Sequence, residues 1–396
     1  VPTTERRPWP LAVFGWALLI AFPALLPAMP GGVRTSELVA AMAITGLCAV
    51  AAAGRLPAPG PRPIGIAFLL CLPWVGAELV AVTTLDDDRA AQMMLIRWLL
   101  GLGSGYAMAA LMAIPAARRP ICLGLLAGLL LSLGSVVLDD LTFDPAHASY
   151  TAAELARFVW VNGVYRATGI FSHPNAAAGT VLLAVPLVIG LVEEGRLRRL
   201  GLLLAAGVVG VVFAFTQTRG PTGFAILLLL LHLLRQDATM RWSLVIGGIA
   251  LSLLLTADPL QSVGEGGLVQ RLVDANNIQA GASDRLDTVL ASLDLALSHP
   301  LGLGSAYVTQ LEARTGFSAT HNGILQLALT GGLPIAAFVV VMLARHAAGL
   351  ASRRAPVEAW LAAYLIGALL FENQFFVPSF VVLAIWLLWP PRRVAV

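Results

Sequence analysis

Residues 320–344, THNGILQLALTGGLPIAAFVVVMLA, carry the chain from its longest polar segment into an apolar run, and the reading of that boundary decides the fold. Upstream lies Asp258 to Asn322, a stretch holding Arg271, Asp284, Arg285, Asp287, Asp294, His299 and Arg314. Downstream, residues 323–344 form an apolar stretch of the length a helix needs to cross a hydrocarbon core, about 20 residues for about 30 Å. His321 therefore stands at a membrane surface, where a helix begins.

The rest of the chain has the same character. Of 396 residues, 58% are hydrophobic and 12% charged, and the mean hydropathy is +0.83, whereas roughly a quarter of the residues of soluble proteins are charged. Apolar runs centre on 11–28, 37–53, 64–82, 94–114, 121–138, 174–192, 200–215, 222–234, 242–256, 323–344, 357–371 and 375–389. The expectation is an all-α polytopic membrane protein of about twelve transmembrane helices. It forms one integral membrane domain over 1–396, with 257–322 as a long, partly helical external loop.

Charge supplies the orientation. All 25 cationic Lys and Arg positions are arginine, so Schiff-base lysine chemistry and a lysine-bearing phosphate loop are excluded, while planar groups suited to phosphate remain. With the N-terminus inside, 16 of the 25 arginines fall in cytoplasmic segments, among them Arg118, Arg119, Arg198, Arg199, Arg353 and Arg354. Asp86-Asp87-Asp88, Asp139-Asp140 and most of the long loop fall outside. Arg6 and Arg7 ahead of Leu11–Leu26 read as an uncleaved signal anchor. The net charge of +3 and pI near 9.0 thus reflect sidedness, and no nucleic-acid partner is implied.

Cys48, Cys71 and Cys122 lack CxxC spacing, which excludes a zinc site and disulfides and leaves buried small hydrophobes. The triple aspartate 86–88 reads as a solvated acidic patch, so no metal and no cofactor are expected. The outward face has no ATP, and any chemistry there needs a donor that arrives activated through the membrane.

Three outward helix starts share a pattern. Pro221 follows Arg219-Gly220; Pro174 and Asn175 follow His173, with Arg166 upstream; and Thr320 or Asn322 can cap the span after His321. Helix N-termini present free N–H groups and partial positive charge, and with arginines nearby they form an anion site. Each residue also has a plainer reading. Arg219 can snorkel to headgroups, His173 can be a cap, Arg166 can pair with Glu154 or Asp144, and Arg285 can pair with a neighbouring acid. In the long loop Ser283 caps a helix of about fifteen residues ending before Pro300. Its stripe of Leu286, Val289, Leu290, Leu293 and Leu297 lies on the bundle or at the interface. A histidine close to arginines and a helix N-terminus stays neutral and can accept a proton, which would make His321 a general base rather than a cap. His232, His299 and His346 read as structural.

These residues carry a resemblance. Arg166-Ala-Thr-Gly-Ile-Phe-Ser-His-Pro-Asn175, Thr218-Arg-Gly220, Ser283-Asp-Arg285, His299-Pro-Leu-Gly-Leu-Gly304, His321-Asn-Gly-Ile-Leu-Gln326 and Gly331-Gly-Leu-Pro334 resemble, in order and placement, the O-antigen ligase and polymerase superfamily. The resemblance covers about 160–345 and departs at Gly323, where an aromatic or aliphatic residue often follows His-Asn. It implies a GT-C-like inner-membrane protein, both termini cytoplasmic, that transfers a glycan from undecaprenyl diphosphate at the periplasmic face. In the ligases the acceptor is a hydroxyl of the lipid A core. Arg219, Arg285 and Arg166 are then expected to hold the diphosphate, His321 to activate the acceptor, and Asn322, His173 and Asn175 to support them. A ligase is expected ahead of an O-antigen polymerase or protein O-oligosaccharyltransferase. A transporter is the rival from another class, since Pro186 and Gly331–Pro334 can break helices.

Overall fold

The computed structural model describes residues 9–22, 76, 79–81, 101, 103–105, 107–112, 114–143, 160–161, 164–171, 173–193, 198–235, 275–317, 320–352, 356–371, 382–384 and 386–387. The runs at 37–53 and 242–256, and Asp86–Asp88, Arg271, Cys48 and Cys71, lie outside them. Among the described residues the architecture is all-helical apart from a two-residue antiparallel ladder, β1 (Trp160–Val161) with β2 (Val164–Tyr165). The helices are α1 (Trp9–Ala21), α2 (Pro115–Thr142), α3 (Pro174–Val181), α4 (Ala184–Glu193), α5 (Arg198–Thr216), α6 (Gly220–Leu234), α7 (Ala275–Ser298), α8 (Tyr307–Thr315), α9 (Gly323–Gly331), α10 (Leu333–Ala347), α11 (Gly349–Ser352) and α12 (Pro356–Phe371). Among the described residues two helical stretches, Pro115–Thr142 and Pro174–Glu193, are long and apolar enough to cross a bilayer, and five shorter apolar helices accompany them.

Two expected spans are each divided in two, for a reason visible in the sequence. Pro186 has no N–H, and its ring would strike the carbonyl four residues back, that of Leu182. The break between α3 and α4 falls at Leu182–Leu183. In the same way α9 gives way to α10 at Gly332, φ +94°, two residues before Pro334.

Packing relies on small residues. Gly124 and Gly128 of α2 form a GxxxG pair, and a Cβ on either would collide with a carbonyl of α1, Phe14 or Leu18. Glycine at both positions lets the two helix backbones approach closely. The central helix is α12, which packs against α4, α6, α9 and α10. Its Trp360, Leu361, Tyr364, Leu365, Ala368 and Leu369 are buried, and the Tyr364 hydroxyl donates to the Gly179 carbonyl at 2.9 Å.

Long-range polar contacts collect at two opposite ends of the bundle. At one, Arg118 in the first turn of α2 pairs with the fully buried Glu358 of α12 at 2.8 Å. There also Glu193 at the end of α4 accepts from Trp360 Nε1 at 3.1 Å and faces His232 Nδ1 at 3.0 Å. Arg235 lies over the Trp360 ring. At the other end Asp139 meets Thr168, Thr216 meets Arg166, and Asn322 meets Leu370. Helix direction therefore alternates, and Arg118, Arg119, Arg198, Arg199 and Arg235, apart in sequence, share the first end. Cys122 is fully buried in α2.

One boundary needs correction and one placement is narrowed. Ser283 does not cap the loop helix: α7 already begins at Ala275 and runs 24 residues, because nothing from Ala275 to Ser298 is a proline and the chain stops only ahead of Pro300. Of the two placements expected for the leucine stripe, on the bundle or at the interface, the first is not seen: Leu286, Leu290, Leu293 and Leu297 are all exposed, while Thr288, Ser292, Leu295 and Ala296 are buried. The small Thr288, Ser292 and Ala296, with Leu295, form the face that lies on α9 and α8, and the other four leucines of the helix face outward.

Candidate functional site

The second end of the bundle is built around the segment Arg166–His173. Arg166 reaches across it. Its Nε donates to the Thr216 carbonyl at 2.9 Å, and its Nη2 to Asn175 Oδ1 at 2.8 Å and Thr218 Oγ1 at 3.2 Å. The Thr218 hydroxyl in turn donates to Asn175 Oδ1 at 3.2 Å. One guanidinium thus joins the loop before α3, the first turn of α3, and the α5–α6 turn. Glu154 and Asp144, the acids weighed as its partners, lie outside the described residues.

His173 is the N-cap of α3: its backbone is extended and its Nδ1 accepts the Asn175 N–H at 3.1 Å. That bond requires a ring unprotonated at Nδ1. Arg219 precedes α6 with Pro221 in the first helical turn, and its side chain makes no cap bond and is exposed. The turn before it is tight, with Gln217 at φ +51°.

His321 has the other positive φ among described residues that are not glycine, +50°. A left-handed backbone at a bulky residue is sterically costly and must be held by its surroundings. The neighbours do so. Thr320, fully buried, donates from Oγ1 to the Asn322 carbonyl at 2.7 Å and accepts the Asn322 N–H at 3.3 Å. Asn322 then caps α9, accepting Ile324 N–H and Leu325 N–H at 3.0 Å each. Of the two residues able to cap this helix, Asn322 takes the role. The Phe317 ring stands edge-on to the imidazole, 6.4 Å away.

The electrostatics tie these parts together. Burial, then the charges of Arg166, His321 and Arg285, push His173 down to about 4. Burial, then Arg285, lowers His321 from its ordinary 6.5. Burying a histidine beside fixed cations disfavours its charged form. His173 thus lies within reach of the charges of Arg166, Arg285 and His321, and His321 within reach of Arg285, four residues on four separate segments.

No known protein family and no curated protein matches this chain. What the arrangement can do follows from its groups: a neutral His321 able to accept a proton, a His173 whose Nδ1 is taken up by the α3 cap, and cations and helix N-termini able to receive an anion. Arg219 joins the group through the backbone, one residue beyond Thr218. The other histidines sit elsewhere: His232 against Glu193 at the opposite end, His299 on the Leu295 carbonyl at 3.2 Å, and His346 in the last turn of α10. Among the described residues no three His, Cys, Asp or Glu side chains gather as a metal site. Sequence reasoning passed over Asp139 and Thr216. Asp139 read only as acidic bias, and Thr216 contributes a carbonyl, which any residue type carries.

Proposed function

We propose that this chain is a multi-pass inner-membrane glycosyltransferase of the O-antigen ligase type, moving a glycan from undecaprenyl diphosphate to a hydroxyl of the lipid A core. The observation that carries the reading is the convergence of His321, kept neutral, with Arg285, Arg166 and His173 at one end of an alternating helical bundle. The basic end is cytoplasmic in this reading and the site end periplasmic, with about twelve spans in all. Ile226, Leu227, Leu230 and Leu231 form an exposed apolar face on α6, and a contiguous patch of that kind supports a lipid surround.

In the proposed reaction His321 takes the proton of the acceptor hydroxyl as its oxygen attacks the anomeric carbon. The bond from that carbon to the diphosphate oxygen breaks, and the electron pair leaves with the diphosphate. Negative charge grows on the leaving group, where fixed guanidinium groups stabilise it best as it forms. Arg285 and Arg219 are the residues for that task, with Arg166 beside them. Attack from the face opposite the leaving group inverts the anomeric centre.

The test is to incubate purified protein with undecaprenyl diphosphate glycan and lipid A core, with and without chelator. Ligated product in both arms is expected. A lengthened lipid-linked glycan would instead identify a polymerase, and no product with any acceptor would overturn the enzymatic reading.

A further inference from the structure

The last turns of α2 form a wall of the candidate site. Asp139 Oδ2 accepts three hydrogen bonds from the segment ahead of α3: the Thr168 N–H at 2.7 Å, the Gly169 N–H at 2.9 Å and the Thr168 hydroxyl at 3.3 Å. Ser135, one turn earlier, accepts the Ile170 N–H at 3.3 Å. Gly169 has φ +59°, and a Cβ there would lie 2.6 Å from Ser135 Oγ and 2.8 Å from the Val136 nitrogen. The turn is thus pressed onto α2, and three hydrogen bonds converging on one side-chain oxygen hold it there.

On its other side the same segment grips the α5–α6 turn. Ala167 N–H donates to the Phe215 carbonyl at 3.0 Å, and Arg166 bonds Thr216 and Thr218. Arg219 is the next residue. A continuous set of contacts therefore runs from Asp139 through Thr168–Gly169 and Arg166 to the loop that presents Arg219.

We propose that Asp139 is a positioning residue of the anion site: without touching the ligand, it fixes the turn from which Arg166 holds the loop bearing Arg219. The proposal rests on the reading of that site as a diphosphate cradle, so the experiment measures binding without chemistry and carries a control for the cradle itself. Radiolabelled undecaprenyl diphosphate is titrated against the purified full chain in nanodiscs, for the wild type, Arg219→Ala, Asp139→Ala and Asp139→Asn, with unfolding midpoints recorded for each.

Asp139→Ala is expected to weaken binding about tenfold, comparably to Arg219→Ala. Asp139→Asn, whose amide oxygen still accepts N–H groups, is expected to recover to within about threefold of wild type. Binding lost in Arg219→Ala but kept in Asp139→Ala overturns the positioning role and leaves the cradle standing. An asparagine variant as weak as the alanine one also overturns it, since charge rather than geometry would then matter. Equal binding by wild type and Arg219→Ala overturns the cradle itself. Should Asp139→Ala not fold, Thr168→Val takes its place: it removes the hydroxyl bond alone, with an expected loss of about two- to fivefold, and wild-type affinity in it overturns the proposal.

Discussion

Arg285 on α7 and His321 ahead of α9 lie within reach of each other's charge, although α8 and two turns separate them along the chain. The hairpin of α7 and α8 that brings them together is clasped by Arg314 and Asp294, 2.7 Å apart. Replacing His321 by alanine is expected to lower glycan transfer about 10²–10⁴-fold, the usual contribution of a general base. Membrane insertion and helical content should be unchanged. Transfer at wild-type rate in purified His321→Ala would refute the assignment.

The same pair sets a pH dependence. Burial and Arg285 hold His321 below 6.5, so the ring remains a base as pH falls past that value and is lost only at its lower folded-state pKa. The acid limb of a kcat/KM profile should lie below pH 6.5. Arg285→Ala removes one cause of the shift and should move the limb upward, whereas a limb unmoved by that substitution counts against the coupling.

His173 extends the argument to stability. Its pKa is about 4 in the folded chain against an ordinary value of 6.5, so the unfolded chain binds the extra proton between those values. Stability is fully present above pH 6.5 and declines as pH falls toward 4, by about 3 kcal/mol at the limit. Protonation at Nδ1 would also cost the Asn175 cap bond. Unfolding midpoints of wild type and His173→Asn, which can still cap α3, should converge at neutral pH and diverge toward pH 4, with the variant then the more stable.

Asn322 holds two elements at once: the cap of α9, and the Leu370 carbonyl at the end of α12, to which its Nδ2 donates at 3.4 Å. Asn322→Ala is expected to cost about 1–2 kcal/mol and to release His321 from its left-handed backbone. Asn322→Asp keeps the cap and should recover most of the stability. Thermal unfolding in detergent checks both.

At the opposite end, Glu358 is fully buried against Arg118. Truncating one partner of a buried ion pair typically costs about 3–5 kcal/mol, because the other charge is stranded. Arg118→Ala should therefore destabilise the bundle strongly, and the fraction that folds should bind diphosphate as the wild type does. A loss smaller than about 1 kcal/mol would show the pair to be dispensable.

Much of this molecule was legible in its residues because the determinants are local. Hydropathy marks apolar helices, prolines at 174, 186, 221 and 334 mark where helices begin or break, and the arginine bias groups Arg118, Arg119, Arg198, Arg199 and Arg235, which share one end of the bundle. Ser283 misled as a cap because a cap residue inside a helix looks the same in sequence. The leucine stripe of α7 left two placements open, because periodicity reveals that a helix has an apolar face but not what covers it.

By itself, then, the sequence determined the helical class, the helix breaks and the residue types available for an anion and a proton. Only the tertiary structure decided that His173 and His321 feel the charge of Arg285, that Arg166 is bound on three sides by Thr216, Asn175 and Thr218, and that Asp139 anchors the segment ahead of α3. The physical reason is that these contacts join segments far apart in the chain, through backbone carbonyls and shared charge, and neither leaves a mark on residue spacing.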